Sequence, residues 1–516
     1  MAVWRTNRWV KIGAGVVVAV FGVAAVVIAT HWPFTQGSVV QALEQTFASS
    51  VELKSFHVTY FAPGCVMEGV TFRRNLDSKS DANVPPIATV ERLTIIGSYA
   101  GFFMFPKRIP RVKVEGLHVF ASPESERAGN QPLPSAGTDQ TKLVVGEINA
   151  DGAVVEFSSG EKGAAPMKFD IEKLTLDGVS DHRSMAFHAA LKNPTPPGEI
   201  RADGRFGPLQ RGNVGQTAAS GAYIFEHADL GVFPGIGGAL ASTGKFSGVL
   251  EQLEVAGSTD VPDFEVDGGR HPVHVKTEFA ATVNGMDGDV ALKSVSVEFG
   301  KTSLAVRGDV AGKAAGQGKN VSLTGTQQQG AIQDWLRLLA KAENPAMTGA
   351  MSFRAQVQVP PGTRSFIQRV NLQGDFVIGS GDFTQPTTQQ AVNNLSEVAL
   401  GEKGKNSQKD DPATVAENMK GHVEMKNAVA TFTDLYFGVP GALAHMHGTY
   451  GILTQNIDLH GNLRVDNKLS KGSTGIKAAL LKVAEPFFKK KKQAEIVPIK
   501  MGGTFAHPSY GLDVVP

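Results

Sequence analysis

The chain has 516 residues, with 50 Lys and Arg against 49 Asp and Glu, a formal net charge of +1 and only 19% charged residues; this length exceeds one ordinary compact core, and the balance excludes a global field that would recruit nucleic acid or an anionic surface. Its 58 glycines stand above the usual share of about 7% and suit a chain of many turns and half-buried strands. The single cysteine, Cys65, excludes an intramolecular disulfide framework and a multi-cysteine zinc site.

From Val10 to Ala29 the chain reads VKIGAGVVVAVFGVAAVVIA, with Lys11 its only charge. About 20 helical residues at ~1.5 Å each cover the ~30 Å hydrocarbon layer of a bilayer. Residues 10–31 are therefore read as a single transmembrane helix. Arg5, Arg8 and Lys11 gather at its start, Trp4 and Trp9 mark one interface and Trp32 the other, so residues 1–9 are placed in the cytoplasm and everything after His31 outside. A cleaved signal peptide is the alternative, since Val27-Ile28-Ala29 resembles a small-residue cleavage site, but the apolar stretch is longer than an ordinary h-region.

Next, GSVVQALEQTFASS predicts a short helix with Ser38 as N-cap and Val39, Val40, Leu43 and Phe47 on one face. Alternation then dominates: Phe56, Val58 and Tyr60; Met185, Phe187, Ala189 and Leu191; Val275, Thr277, Phe279, Ala281 and Val283; Met351, Phe353, Ala355, Val357 and Val359. This is the period of half-buried strands. Turn chemistry at Asp151-Gly152, Pro196-Pro197-Gly198, Asn284-Gly285 and Asp287-Gly288 predicts hairpins that follow one another in order. Three helices punctuate the strands: AIQDWLRLLAKAEN, stopped by Pro345; QAVNNLSEVAL; and GIKAALLKVAEPFF, with Ile476, Leu480, Val483 and Phe487 on one side. Segments near 121–141, 311–319 and 401–413 are poor in apolar residues and read as exposed loops.

Strands that alternate in this way make a sheet with one apolar face, which a second sheet, helices or a ligand must cover. Helices are too few. The fold class is therefore mainly β with a few short helices, and the sheet either closes into sandwiches or curls lengthwise into an elongated, curled antiparallel sheet with an open groove. Val275, Phe279, Val283, Met351, Phe353, Val357, Leu372, Phe376, Ile378, Leu459 and Leu463 are the candidate groove lining.

Catalytic signatures are missing: there is no nucleophile elbow, zincin helix, phosphate loop or dinucleotide fingerprint. His271 with His274, and His445 with His447, have the spacing of paired metal ligands but no flanking third ligand, and read as strand-edge or turn histidines. Cys65 in APGCVMEG reads as a structural thiol. Asp81, Asp151 and Asp177 read as turn acids. No catalytic residue, metal or cofactor is assigned, and an enzyme is not expected. Lys489, Lys490, Lys491 and Lys492 follow the apolar face that ends at Phe487. They complement a helix C-terminus, form the cationic end of a helix resting on anionic lipid, or do both.

The stretches FAPGCVMEGVTFRR, PPIATVERLTIIGSYAGFFMFPKRIPRVKVEGLHVF and GEINADGAVVEF, with MKGHVEMKNAVATFTDLYFGVPGALAHMHGTYGILTQNIDLHGNLRV and VPIKMGGTFAHP near the end, resemble the AsmA-like family of bacterial envelope proteins, relatives of TamB. The resemblance covers about half the chain. It implies an inner-membrane protein, cytoplasmic at 1–9, anchored at 10–31 and otherwise periplasmic, with an AsmA-like N-terminal region at 32–120, a flexible loop at 121–141, a central β-rich region at 142–345 and a C-terminal β-region at 346–516 that contains an amphipathic helix at 475–492. It further implies a groove for phospholipid or another acyl-chain lipid, a role in outer-membrane biogenesis, and an outer-membrane protein or lipid acceptor as partner, with no nucleic acid and no cofactor. On that arrangement the lysine run lies at the tip far from the anchor. Two other readings stay open: a scaffold that pairs with edge strands of outer-membrane proteins, and a hydrolase dependent on His445.

Overall fold

The apolar residues of the first strands keep a common frame instead of strict alternation: Cys65, Met67, Val70 and Phe72; Ala88, Val90, Leu93 and Ile95; Val112, Val114, Leu117 and Val119; Ile148, Ala150, Ala153 and Val155; Phe169, Ile171, Leu174 and Leu176. A period of two with one three-residue step requires one extra residue at the same place in each strand. The computed structural model shows where it goes. It describes residues 34–47, 49–74, 86–102, 107–121, 143–157, 167–179, 183–208, 210, 214–266, 271–285, 288–312, 318–339, 345, 347–384, 416–439, 442–465, 496–504 and 507–513. The anchor at 10–31, the loop at 121–141 apart from Ala121, the QAVNNLSEVAL helix and the helix at 475–492 lie outside the described residues, as do Trp4, Arg5, Arg8, Trp9, Lys11 and Trp32. The chain divides into two compact units, Met1–Ser158 with Pro166–Phe187, and Ser159–Ala165 with His188–Pro516.

The first unit contains α1 (Gln36–Phe47), β1 (Ser49–Glu52), β2 (Ser55–Thr59), β3 (Gly64–Arg74), β4 (Ala88–Ile96), α2 (Tyr99–Phe102), β5 (Lys107–Ala121), β6 (Leu143–Phe157) and β7 (Met167–Val179). Strands β3, β4 and β5 pair antiparallel, β1 and β2 both pair along β3, and β6 pairs antiparallel with β7. The β5–β6 pair is parallel, which departs from the expected run of hairpins. A parallel neighbour needs a connection of a dozen or more residues, and the segment between Ala121 and Leu143 supplies that length.

Gly69, Gly116 and Gly152 have φ of +60°, +64° and +64°. Glu68 and Val70 of β3 face Arg92 and Val90 of β4, as do Glu115 and Leu117 of β5, so Gly69 and Gly116 flank Glu91 on both sides. Gly152 continues the line, because Glu115 is level with Asp151 and His118 with Val154. Neighbouring strands thus absorb the extra residue together, and the register runs through unbroken. Asp151-Gly152 is accordingly a kink inside β6 and not the turn its sequence suggests. The helix start also differs: the Thr35 hydroxyl, not Ser38, caps α1, accepting the Ser38 N–H at 3.3 Å. Phe34 and Val39 close this unit's core over Val51, Cys65, Met67, Val70, Phe72, Val90 and Leu93.

The division between units falls within β8 (Met185–Pro194). The second unit continues with β9 (Pro197–Phe206), β10 (Ala218–Asp229), β11 (Ile236–Gly237), β12 (Ala239–Val249), β13 (Gln252–Val266), β14 (Val273–Val283), β15 (Val290–Phe299), β16 (Thr302–Gly312), β17 (Lys319–Ala331), α3 (Ile332–Leu339), β18 (Met347–Val359), α4 (Phe366–Arg369), β19 (Asn371–Phe383), β20 (Ala416–Lys426), β21 (Val429–Val439), β22 (Ala442–Gly451), β23 (Ile457–Val465), β24 (Ile496–Thr504) and β25 (His507–Leu512). From β9 to β25 each strand pairs antiparallel with the next, except that β10 pairs directly with β12 and the two-residue β11 adds to β13. The unit is mainly β, and its sheet is curled and open like a half-barrel. The curl brings distant strands together: α3 touches both β13 and β18, and the Phe366 N–H donates to the Pro234 carbonyl at 2.6 Å.

A side chain at Gly116 would meet Glu91 Cγ at 2.4 Å and would hold a left-handed backbone conformation. Gly116→Ala is expected to destabilise the first unit by about 1–2 kcal/mol, read as a lower thermal or urea midpoint of the purified chain. Gly37→Ala in α1, where open space surrounds the added methyl, should hold or raise that midpoint.

Candidate functional site

Register turns the alternation of single strands into rows that cross the second unit's sheet. One row passes from Phe246 through Val255, Ala281, Leu292, Gly308 and Leu323 to Val357 and Leu372. The next runs from Tyr223 through Gly244, Gly257, Phe279, Val295 and Val306 to Gly325 and Ala355. Large rings lie beside glycines of the adjacent strand. A Cβ at Gly244 would come 2.7 Å from the Tyr223 ring, one at Gly221 3.0 Å from Phe246, and one at Gly421 3.2 Å from Phe376. A residue with a side chain could not sit there without moving the ring.

Along β9 and β13 this inward face is half-buried while the outward positions are exposed. The inward positions of β9, β10 and β12 to β16 carry no acid or base: they are Gly, Ala, Val, Leu, Ile, Phe, Tyr, Ser and Thr. Such a face is half covered by its own curl and otherwise presents apolar atoms to solvent.

Elsewhere the same face is sealed. Trp335 of α3 stands edge-on between Phe299 and Phe353, with ring centroids 5.1 and 5.3 Å away. Its Nε1 donates to Gln327 Oε1 at 3.0 Å, and Gln327, only 2% exposed, donates from Nε2 to the Met351 carbonyl at 2.9 Å. Asp334, 4% exposed, accepts from the Lys301 N–H at 2.7 Å and from Thr302 Oγ1 at 2.9 Å. Removal of a buried carboxylate's donors is costly, so these bonds fix α3 on the face of β15 to β18. A second seal joins Leu435, Phe437, Ala444, Met446, Leu459, Leu463 and Ile499 in one buried cluster.

Of the predicted lining residues, Val275, Phe279, Val283, Met351, Phe353, Val357, Leu372 and Phe376 share the inward face and are half-buried. Ile378, Leu459 and Leu463 share it too, but are buried by protein, which makes them core and not accessible lining. Ile476, Leu480, Val483, Phe487 and Lys489 to Lys492 lie outside the described residues. Alternation alone passed over a polar stripe within this face. Tyr223 Oη and Ser242 Oγ are 3.1 Å apart, Ser242 Oγ donates to the Ser258 carbonyl at 3.0 Å, and the Thr259 and Thr277 hydroxyls are 2.6 Å apart. Its sequence signal is Ser or Thr at three successive inward positions, where Ser242 pairs with Thr259 and Thr259 with Thr277.

The outward face has a different chemistry. A depression of about 840 Å³ there includes Lys245, Glu278, Lys293 and Arg307, and is bordered also by Phe279, Val295 and Val306. Histidines pair with carboxylates across strands: His188 with Asp203 at 2.5 Å, His274 with Asp260, His422 with Asp375 at 2.7 Å and His445 with Asp434 at 3.2 Å. Among the described residues no three His, Cys, Asp or Glu side chains gather as a metal-binding group. Cys65 is fully buried, and burial pushes its thiol up to about 12, which suits a core side chain and not a nucleophile.

His460 differs from these in holding two carboxylates, Asp513 on Nδ1 at 2.8 Å and Asp458 on Nε2 at 3.1 Å. The Asp513 bond first, then Asp458, raises its pKa above the ordinary value. Lys500 and His447 are its partners on β24 and β22. Asp513 directly follows β25, so the imidazolium fastens the edge of the sheet to β23.

No family model matches the chain, and no curated protein or solved structure does either.

Because folding raises the His460 pKa, its contribution is complete below the unfolded value of about 6.5 and is lost as pH rises through the folded value. Protection factors of β25 amides are therefore expected to fall as pH climbs through that window. His460→Gln should remove the pH dependence, and an NMR titration should place His460 above the common histidine range.

Proposed function

We propose that the second unit holds lipid acyl chains against its uncharged inward face, and that the chain is an AsmA-like protein of the bacterial inner membrane. On this reading residues 10–31 anchor it, the body after His31 is periplasmic, and it serves outer-membrane biogenesis without catalysing a reaction. The observation that carries the proposal is the inward face of β9 to β16, free of acids and bases and, away from α3, mostly half-buried. An extended chain that crosses the strands meets one apolar, hydroxyl or glycine position per strand, at spacings of about 4.8 Å. Each methylene withdrawn from water contributes about 0.8 kcal/mol, so contact with several strands offsets the cost of ordering a flexible chain.

The scaffold reading has less support. At the C-terminal side of this sheet, β25 pairs with β24, but it is six residues long and contains Pro508, features that blunt an edge against further pairing. A hydrolase that uses His445 finds its ring paired to Asp434 and stacked on Tyr436 at 4.2 Å, on the outward face.

A photoactivatable amino acid at Val295 in the full-length chain should crosslink to phospholipid in cells, while the same group at Ser294, the adjacent outward residue, should not. Phe279→Asp combined with Val295→Asp should lower lipid recovered per purified chain at least tenfold, with Ala305→Asp as the outward control. Equal crosslinking at 294 and 295, or a wild-type chain that carries no lipid, would sink the proposal.

A further inference from the structure

Three aromatic side chains project from one corner of the first unit. Phe61 is fully exposed at 106%, Tyr60 is 62% exposed and Tyr99 41%. Tyr60 and Phe61 form the turn from β2 to β3, Tyr99 opens α2, and the Tyr99 hydroxyl donates to the Tyr60 carbonyl. Elsewhere in this unit the large apolar side chains of the core face inward. A protein surface that faces only water rarely groups such residues.

Phe34 is buried at this corner: a Cβ at Gly97 would lie 3.0 Å from the Phe34 ring and 2.7 Å from the Pro63 carbonyl, which accepts the Gly97 N–H. Gly97 lies two residues before Tyr99, and Pro63 two residues after Phe61. The apolar stretch Val10–Ala29 ends five residues before Phe34. Five residues reach at most about 18 Å, at 3.3 to 3.6 Å each. Arg108, also exposed, presents its carbonyl 2.6 Å from where a Cβ of Gly101 in α2 would be. Exposed tyrosine rings grouped with an exposed phenylalanine suit the headgroup boundary, where Tyr keeps its ring in the apolar layer and its hydroxyl in the wet one.

We propose that Tyr60, Phe61 and Tyr99 sit in the headgroup boundary of the bilayer, so that the first unit rests on the membrane surface and does not hang free on its linker. This inference rests on the reading of residues 10–31 as the anchor. The partner is the lipid surface itself; a second copy of the chain or another protein is an outcome that the test separates.

The test uses the full-length chain in vesicles of phosphatidylethanolamine and phosphatidylglycerol, with a nitroxide attached at Phe61→Cys and, separately, at Tyr60→Cys. Native Cys65 is buried with its thiol raised to about 12, so the unsubstituted chain serves as the unlabelled blank. Collision with oxygen, which partitions into lipid, is compared with collision with a water-soluble nickel complex. Labels at 60 and 61 should favour oxygen several-fold over a label at Leu443→Cys, an apolar residue 46% exposed in the second unit. A water-like ratio at both sites overturns the inference, and so do labels that are immobilised and shielded from both reagents. A label at Val20→Cys reports on the anchor alone. Lipid contact at Val20 with water at Phe61 keeps the anchor and removes the corner. Water at Val20 with lipid at Phe61 removes the anchor and keeps the corner.

Discussion

In the second unit, main-chain pairing is satisfied laterally from β9 to β25, so the demand that remains is cover for one apolar face. Hydrogen bonds between strands do nothing for that face. At roughly 25 cal/mol per Å² of apolar surface, leaving it flat in water would offset much of what folding gains. The described residues include only α3 and α4 as α-helices in this unit. Curling is the response available to the sheet alone, since it turns inward side chains toward one another. Glycines at Gly221, Gly244 and Gly421 let the rings of Phe246, Tyr223 and Phe376 lie across the neighbouring strand. Curling covers the face by half, as the half-buried inward positions of β9 and β13 show.

The two units meet the same demand differently. In the first, α1 lays Val39 on a cluster in which Cys65, Met67 and Val70 are fully buried, and ordinary apolar packing suffices. In the second, α3 is held by polar groups as well as by Trp335. Asp334 accepts two donors of the β15–β16 turn, and Gln327 links the Trp335 indole to the β18 main chain. Lifting α3 would strand a buried carboxylate and a buried amide, each costing about 1–3 kcal/mol or more. This helix is therefore fixed on the inward face and is not a lid.

Alternation made the inward face legible from sequence alone, because side-chain period two needs no knowledge of neighbours. It put Phe279, Phe353 and Val357 on one face with Leu459 and Leu463, and could not tell which of them the protein itself buries. Which face a residue points to is local information; what lies over it depends on strands far along the chain. The kink at Asp151-Gly152 shows a different failure. Asp-Gly is among the strongest hairpin signals taken singly, yet Glu68-Gly69, Glu115-Gly116 and Asp151-Gly152 recur inside one apolar frame, and only the recurrence reveals a positive-φ step shared by neighbouring strands. The parallel β5–β6 pair was hidden for the same reason: a long polar connection looks alike whether its chain returns antiparallel or parallel.

The hydroxyl stripe bears on what the proposed lining could distinguish. Unsatisfied donors in an apolar trough would bind a carbonyl or phosphate strongly and would hold a ligand at one place. Thr259 and Thr277 instead bond each other, and Ser242 bonds the Ser258 carbonyl and faces Tyr223. Their hydrogen bonds are largely met before anything arrives, so an apolar chain passing over them breaks none. Val295, Val306 and Phe279 on the adjoining row offer contacts that change little from strand to strand. A surface of this kind ranks ligands mainly by apolar length, with each methylene a small increment, and has few deep wells along it. Weak selection and shallow wells follow from one composition, and on the proposed reading they are what lets many acyl chains bind and still move.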